Sequence, residues 1–72
     1  MSPALPVLSG ADVVAALTKG GFVHVSQRGS HVKMRKDDRA AIVPMHREIA
    51  QGTLSSILRQ AGLSREEFAA LL

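Results

Sequence analysis

The hydrophobic period of this chain changes twice, and that change limits the possible folds more than any other feature. Apolar residues recur at helical spacing from Ser9, alternate from Phe22, and return to helical spacing from Leu54. The first segment opens with Ser9 and Asp12 at capping-box spacing, with Leu8 and Val13 placed for a hydrophobic staple. Val13, Val14 and Leu17 then line one face, and Gly20-Gly21 stops the run. A helix is predicted over residues 9–19.

From Phe22 the alternation puts Val23 and Val25 on one face of a strand and His24 and Ser26 on the other. Gly29-Ser30 reads as a turn. In the next strand, His31 to Lys36, Val32 and Met34 face inward while His31, Lys33 and Arg35 share the outward face. Asp37-Asp38-Arg39 makes a second turn, and Ala40 to Val43 forms a short apolar strand ended by Pro44. Met45 to Gly52 is a connection, with a helical turn expected at 46–50. Leu54, Ile57, Leu58 and Ala61 line a second long helix closed by Gly62. Ser64 and Glu67 recap a short final helix, with Leu63 able to staple onto Phe68.

Helix, three strands, helix, short helix: the economical packing is α+β, with helices on one face of a three-stranded antiparallel sheet and the other face free. This α-β-β-β-α order is the layout of a double-stranded-RNA-binding domain. Seventy-two residues suffice for a single domain over 1–72, with 1–8 as a loose lead-in and 9–72 folded. The chain has no cysteine, so neither a disulfide framework nor a thiolate metal site is expected. No apolar run approaches membrane-spanning length and no signal-peptide pattern opens the chain. A cytoplasmic protein without membrane association is therefore expected.

Charge narrows the function. Nine Lys and Arg stand against six Asp and Glu, a net charge of +3. Five of the nine (Arg28, Lys33, Arg35, Lys36 and Arg39) fall within twelve residues, the pattern of a surface that gathers polyanions. With two Phe and no Tyr or Trp, base stacking on aromatic rings is scarce, so backbone and shape contacts would dominate nucleic-acid binding. His31 follows the Gly-Ser turn and shares its face with Lys33 and Arg35. An imidazole exchanges a proton near neutral pH, so His31 can take one from a ribose 2′-hydroxyl while cations stabilise the phosphorane. Arg28, Gly29 and Ser30 are candidate phosphate contacts, although a hairpin turn alone would also select Gly29 and Ser30. His46, after Pro44-Met45, serves either as a second proton carrier or as a structural histidine. His24 reads as a solvated strand residue. The histidines and acids show no metal-ligand spacing, and no phosphate-binding glycine loop is present, so neither a metal nor a small-molecule cofactor is expected. The final helices as a DNA-reading helix-turn-helix are a poor alternative, because Arg59 is the one basic residue of the Leu54–Ala61 run.

Four segments together resemble the HicA, or YcfA-like, family of toxins. They are Gly21-Phe22-Val23, Arg28-Gly29-Ser30-His31, Val43-Pro44-Met45-His46, and Gly52-Thr53-Leu54 leading into Ile57-Leu58-Arg59-Gln60-Ala61-Gly62. The resemblance spans about residues 9–70. It implies the double-stranded-RNA-binding-domain layout and endoribonuclease activity on mRNA, as an mRNA interferase that blocks translation and growth. It further implies His31 as the catalytic residue and a HicB-type protein antitoxin that covers the active face. The chain departs from the family pattern at Val32, where a second His or an aromatic residue is frequent. The alternative is a non-catalytic RNA-binding module of the same fold.

Overall fold

The structure, a computed structural model, describes residues 5–72; the part of the expected lead-in at 1–4 lies outside the described residues. The elements run α1 (Gly10–Lys19), β1 (Val23–Arg28), β2 (His31–Lys36), β3 (Arg39–Pro44), α2 (Gln51–Ala61) and α3 (Arg65–Ala69). The three strands form one antiparallel sheet in the order β1-β2-β3. The fold is α+β, with helices on one face of the sheet, as in a double-stranded-RNA-binding domain.

Each helix begins where the local chemistry dictates, with one exception. In α1 the Asp12 N–H donates to Ser9 Oγ at 3.1 Å, and the Ser9 N–H donates to Asp12 Oδ2 at 3.0 Å. That reciprocal pair satisfies two N–H groups that a helix start otherwise leaves without partners. Ser64 and Glu67 repeat the arrangement at α3. By contrast, α2 has Ala50 at its N-cap, with no side-chain bond, and starts at Gln51, so Gly52 lies within the helix rather than before it. The helical turn expected at 46–50 does not form; the chain bends at Arg47-Glu48 instead. Ile49 explains why, because its side chain is buried and its N–H donates to the Leu8 carbonyl at 2.7 Å. Tertiary anchoring of this short segment overrides any local helical tendency.

The core joins one face of the sheet to the helices. Val13, Ala16 and Leu17 of α1 join Val32 and Met34 of β2, Ala41 and Val43 of β3, and Leu54, Ile57, Leu58 and Ala61 of α2, together with Phe22 and Phe68. Leu8 belongs to the same cluster, and Leu5 packs against it. Helix α2 lies against the edge strand β3, where Gln60 Oε1 accepts the Ile42 N–H at 2.9 Å. That bond satisfies a donor which an edge strand otherwise leaves open.

The alternation expected in β1 is broken. His24 pairs with Met34, but Ser26 rather than Val25 pairs with Lys33, so Val25 is the extra residue of a β-bulge. Paired residues share a face, and a one-residue slip reverses facing. Val23, opposite Arg35, therefore lies on the open face, and His24, opposite Met34, lies on the helix side. This corrects the expected grouping of Val23 with Val25 as an apolar face, since both are exposed, at 61% and 49%. Beyond the bulge, Ser26 and Arg28 join the open face.

Candidate active site on the open sheet face

Two tight turns and the bulge build the site. Arg28 and His31 flank the two-residue turn Gly29-Ser30 and face each other across the hairpin. Gly29 has φ +56°, while Ser30 does not have positive φ. That is the sequence requirement of a II′ hairpin turn, in which glycine holds the first central position. The Gln27 side-chain amide donates to the Gly29 carbonyl at 3.0 Å and braces the turn. The second turn, Asp37-Asp38, passes through Asp37 at φ +55°, a left-handed conformation that aspartate tolerates better than most residues.

The register lays the open face out as a grid. One row reads Arg28, His31, Pro44; the next reads Ser26, Lys33, Ile42; the third reads Val23, Arg35, Ala40. A depression of 430 Å³ spans the first two rows, lined by Ser26, Arg28, His31, Lys33 and Ile42. His31 and Arg28 are exposed and Lys33 is half-buried, so an imidazole and two cations surround a space open to solvent. Arg35 stands one row further along, exposed on the same face, and Gly29 and Ser30 form the exposed turn at the rim.

The cluster of five basic residues does not stay together. Lys36 turns to the other side of the hairpin, where Nζ donates to the Gly20 carbonyl at 2.8 Å, close to the end of α1. Arg39, paired with Lys36, lies against Gly62 and contributes to the field around Glu67. Arg28, Lys33 and Arg35 thus remain for the open face. Strand parity makes the division, because adjacent residues of an extended chain point to opposite faces.

His46 does not line the depression. It is exposed on the segment just past Pro44, the cross-strand neighbour of His31. Its backbone is fixed: the Gly10 N–H donates to the His46 carbonyl at 2.9 Å, and the Met45 N–H donates to the Ser30 carbonyl. The start of α1, the end of β3 and the hairpin turn are therefore tied at one end of the sheet. His24, on the helix side of β1, is not part of the face. Val32, where the chain departs from the family pattern, is buried in the core.

Two residues of the depression, Ser26 and Ile42, were not singled out from the sequence. The signal for Ser26 existed: counting back from Arg28 opposite His31 places Ser26 opposite Lys33. Ile42 was hidden in an uninterrupted apolar run, where alternation has no polar residue to reveal it. Among the described residues, no helix is long and apolar enough to cross a membrane, and no three His, Cys, Asp or Glu residues gather in a group that could hold a metal ion. A comparison with curated proteins finds no match. Residues 10–63 match the family described as the HicA toxin of bacterial toxin-antitoxin.

Proposed function

The chain belongs to the HicA toxin family of bacterial toxin–antitoxin systems, and from that premise we propose that it is an endoribonuclease that cuts mRNA with His31. The observation that supports this reading is the exposed imidazole of His31 beside Arg28 and Lys33 in one depression. RNA carries its own nucleophile, so the protein needs a proton acceptor and positive charge rather than a nucleophilic side chain. His31 takes the proton of a ribose 2′-hydroxyl as its oxygen attacks the adjacent phosphorus. The new 2′-oxygen–phosphorus bond forms as the bond to the 5′-oxygen breaks, leaving a cyclic phosphate on one fragment and a 5′-hydroxyl on the other.

Negative charge grows on the non-bridging oxygens during this step. Arg28 and Lys33 meet it there, supplying without a metal the stabilisation that a metal ion gives in other nucleases. Arg35 holds the strand further along, and Gly29 and Ser30 shape the turn that presents His31. His46 is the second proton carrier in this reading, donating to the departing 5′-oxygen. The partner is a HicB-type antitoxin that covers the His31 face in the cytoplasm and so denies it to mRNA.

His31→Ala tests the reading. A positioned proton carrier is worth about 10² to 10⁴ in rate. The variant is expected to lose RNA cleavage and growth arrest by that order, with an unchanged circular dichroism spectrum and melting temperature. His46→Ala is expected to slow cleavage less. RNA bound but never fragmented by the wild-type protein would favour the non-catalytic module and remove the nuclease.

A further inference from the structure

We propose that Ser26 and Ile42, on either side of Lys33, form a subsite for one unpaired nucleobase of the RNA. This rests on the reading of the open face as an RNA-cutting surface and adds the form of the substrate to it. The register places Ser26, Lys33 and Ile42 in a single row across the three strands, directly beside the row that carries Arg28 and His31. All five line the same depression. At 430 Å³ it falls within the range for small-ligand pockets, about 300–1,000 Å³, which leaves room for one nucleotide.

Proteins that hold single strands stack bases on aromatic rings. That route is closed here, because Phe22 and Phe68 are both buried, at 2% and 0% exposure, and the chain has no other aromatic residue of that kind. Ile42 is the apolar side chain that lines the depression, and it is 40% exposed. A lone exposed isoleucine needs no explanation on most surfaces. This one shares its depression with His31 and with Lys33 and Arg28, whose charges draw a phosphate to its side. The flat face of a base has an apolar surface to rest on while its phosphate meets the cations. The Ser26 hydroxyl, across Lys33, both donates and accepts hydrogen bonds and can read a base edge or a ribose hydroxyl.

The backbone under Ile42 is also held. Gln60 of α2 accepts its N–H, so the edge strand cannot drift away from the row. This gives Gln60 of α2 a part in the site although it does not line the depression. A base within an A-form duplex is stacked on both faces and cannot lie against Ile42. The subsite therefore requires an unpaired nucleotide.

The test uses His31→Ala as background, so that RNA stays intact, and fluorescence anisotropy with a short single-stranded oligoribonucleotide. Its partners are the same oligonucleotide with abasic sites and its duplex. Adding Ile42→Ala is expected to weaken binding of the intact single strand roughly fivefold to tenfold, as for loss of one apolar contact. It should leave binding of the abasic strand unchanged, and Ser26→Ala should act in the same direction. Ile42→Thr, which keeps a β-branched side chain, replaces Ile42→Ala if the latter melts early. Equal losses on intact and abasic strands, no loss on either, or a duplex bound as tightly as the single strand would overturn the subsite. Failure of wild-type protein to cut RNA that it binds through Ile42 would instead remove the nuclease and leave the subsite standing.

Discussion

At Gly10 a Cβ would stand 2.3 Å from the Pro44 carbonyl oxygen and 2.7 Å from the Met45 Cα. Both are backbone atoms, with no flexible side chain to yield. The close approach lets the Gly10 N–H reach the His46 carbonyl, and so ties the helix start to the segment beside the hairpin turn. Gly10→Ala is expected to cost about 1–3 kcal/mol as an overpacking change, despite alanine's better helix propensity. For a domain of this size that lowers the melting temperature by roughly 4–8 °C per kcal/mol, which differential scanning calorimetry can read. The same residue scale explains Asp37: at φ +55° it occupies a conformation costly for β-branched side chains, so the turn selects it without any catalytic duty.

Helix α3 is five residues long, too short to persist alone, and two features hold it. Phe68 is buried in the core, and the Ser64–Glu67 box closes its start. The Ser64 N–H donates to the Glu67 carboxylate at 2.8 Å. That bond, followed by the Ser64 side chain and then the charge of Arg39, holds the Glu67 carboxyl below the ordinary glutamate range. A carboxyl lowered on folding stabilises the native state above its unfolded value, and the contribution disappears as pH falls through the lowered value. Wild-type protein is therefore expected to lose melting temperature on acidification through and below the glutamate range, whereas Glu67→Gln should show a flatter profile. The two curves should converge at the acid end. Parallel profiles would show that the box does not couple to titration.

Over the whole molecule, the sheet sorts the positive charge. Arg28, Lys33 and Arg35 stand on the open face, while Lys36 and Arg39 turn toward the helices. Binding of a single strand weakens with salt by about 0.7 in log–log slope for each phosphate neutralised. Three contacts give a slope of about −2, and all five cations would give about −3.5. Titrating the anisotropy of the His31→Ala protein against salt distinguishes these values. Arg35→Gln should reduce the slope by about 0.7 while leaving the Lys36 bond to α1 intact.

Much of this arrangement was legible in the sequence. Period and caps located α1, α3 and β2, because Ser9 with Asp12 and Ser64 with Glu67 act within four residues of one another. Alternation in β2 placed His31, Lys33 and Arg35 on one face, since a strand has no other way to dispose them. The bulge at Val25 was not legible: an extra residue has no local signature, and it exists because pairing with β2 must satisfy both the hairpin turn and the Val23–Arg35 end. Nor could a one-dimensional pattern reveal that Ile49 is drawn to Leu8, or that Gln60 reaches Ile42 across eighteen residues. Local chemistry chose the elements and set His31 straight after its turn. Contacts between distant segments decided which side chains stand beside it, because facing in a sheet depends on register, and register is settled only when the strands meet.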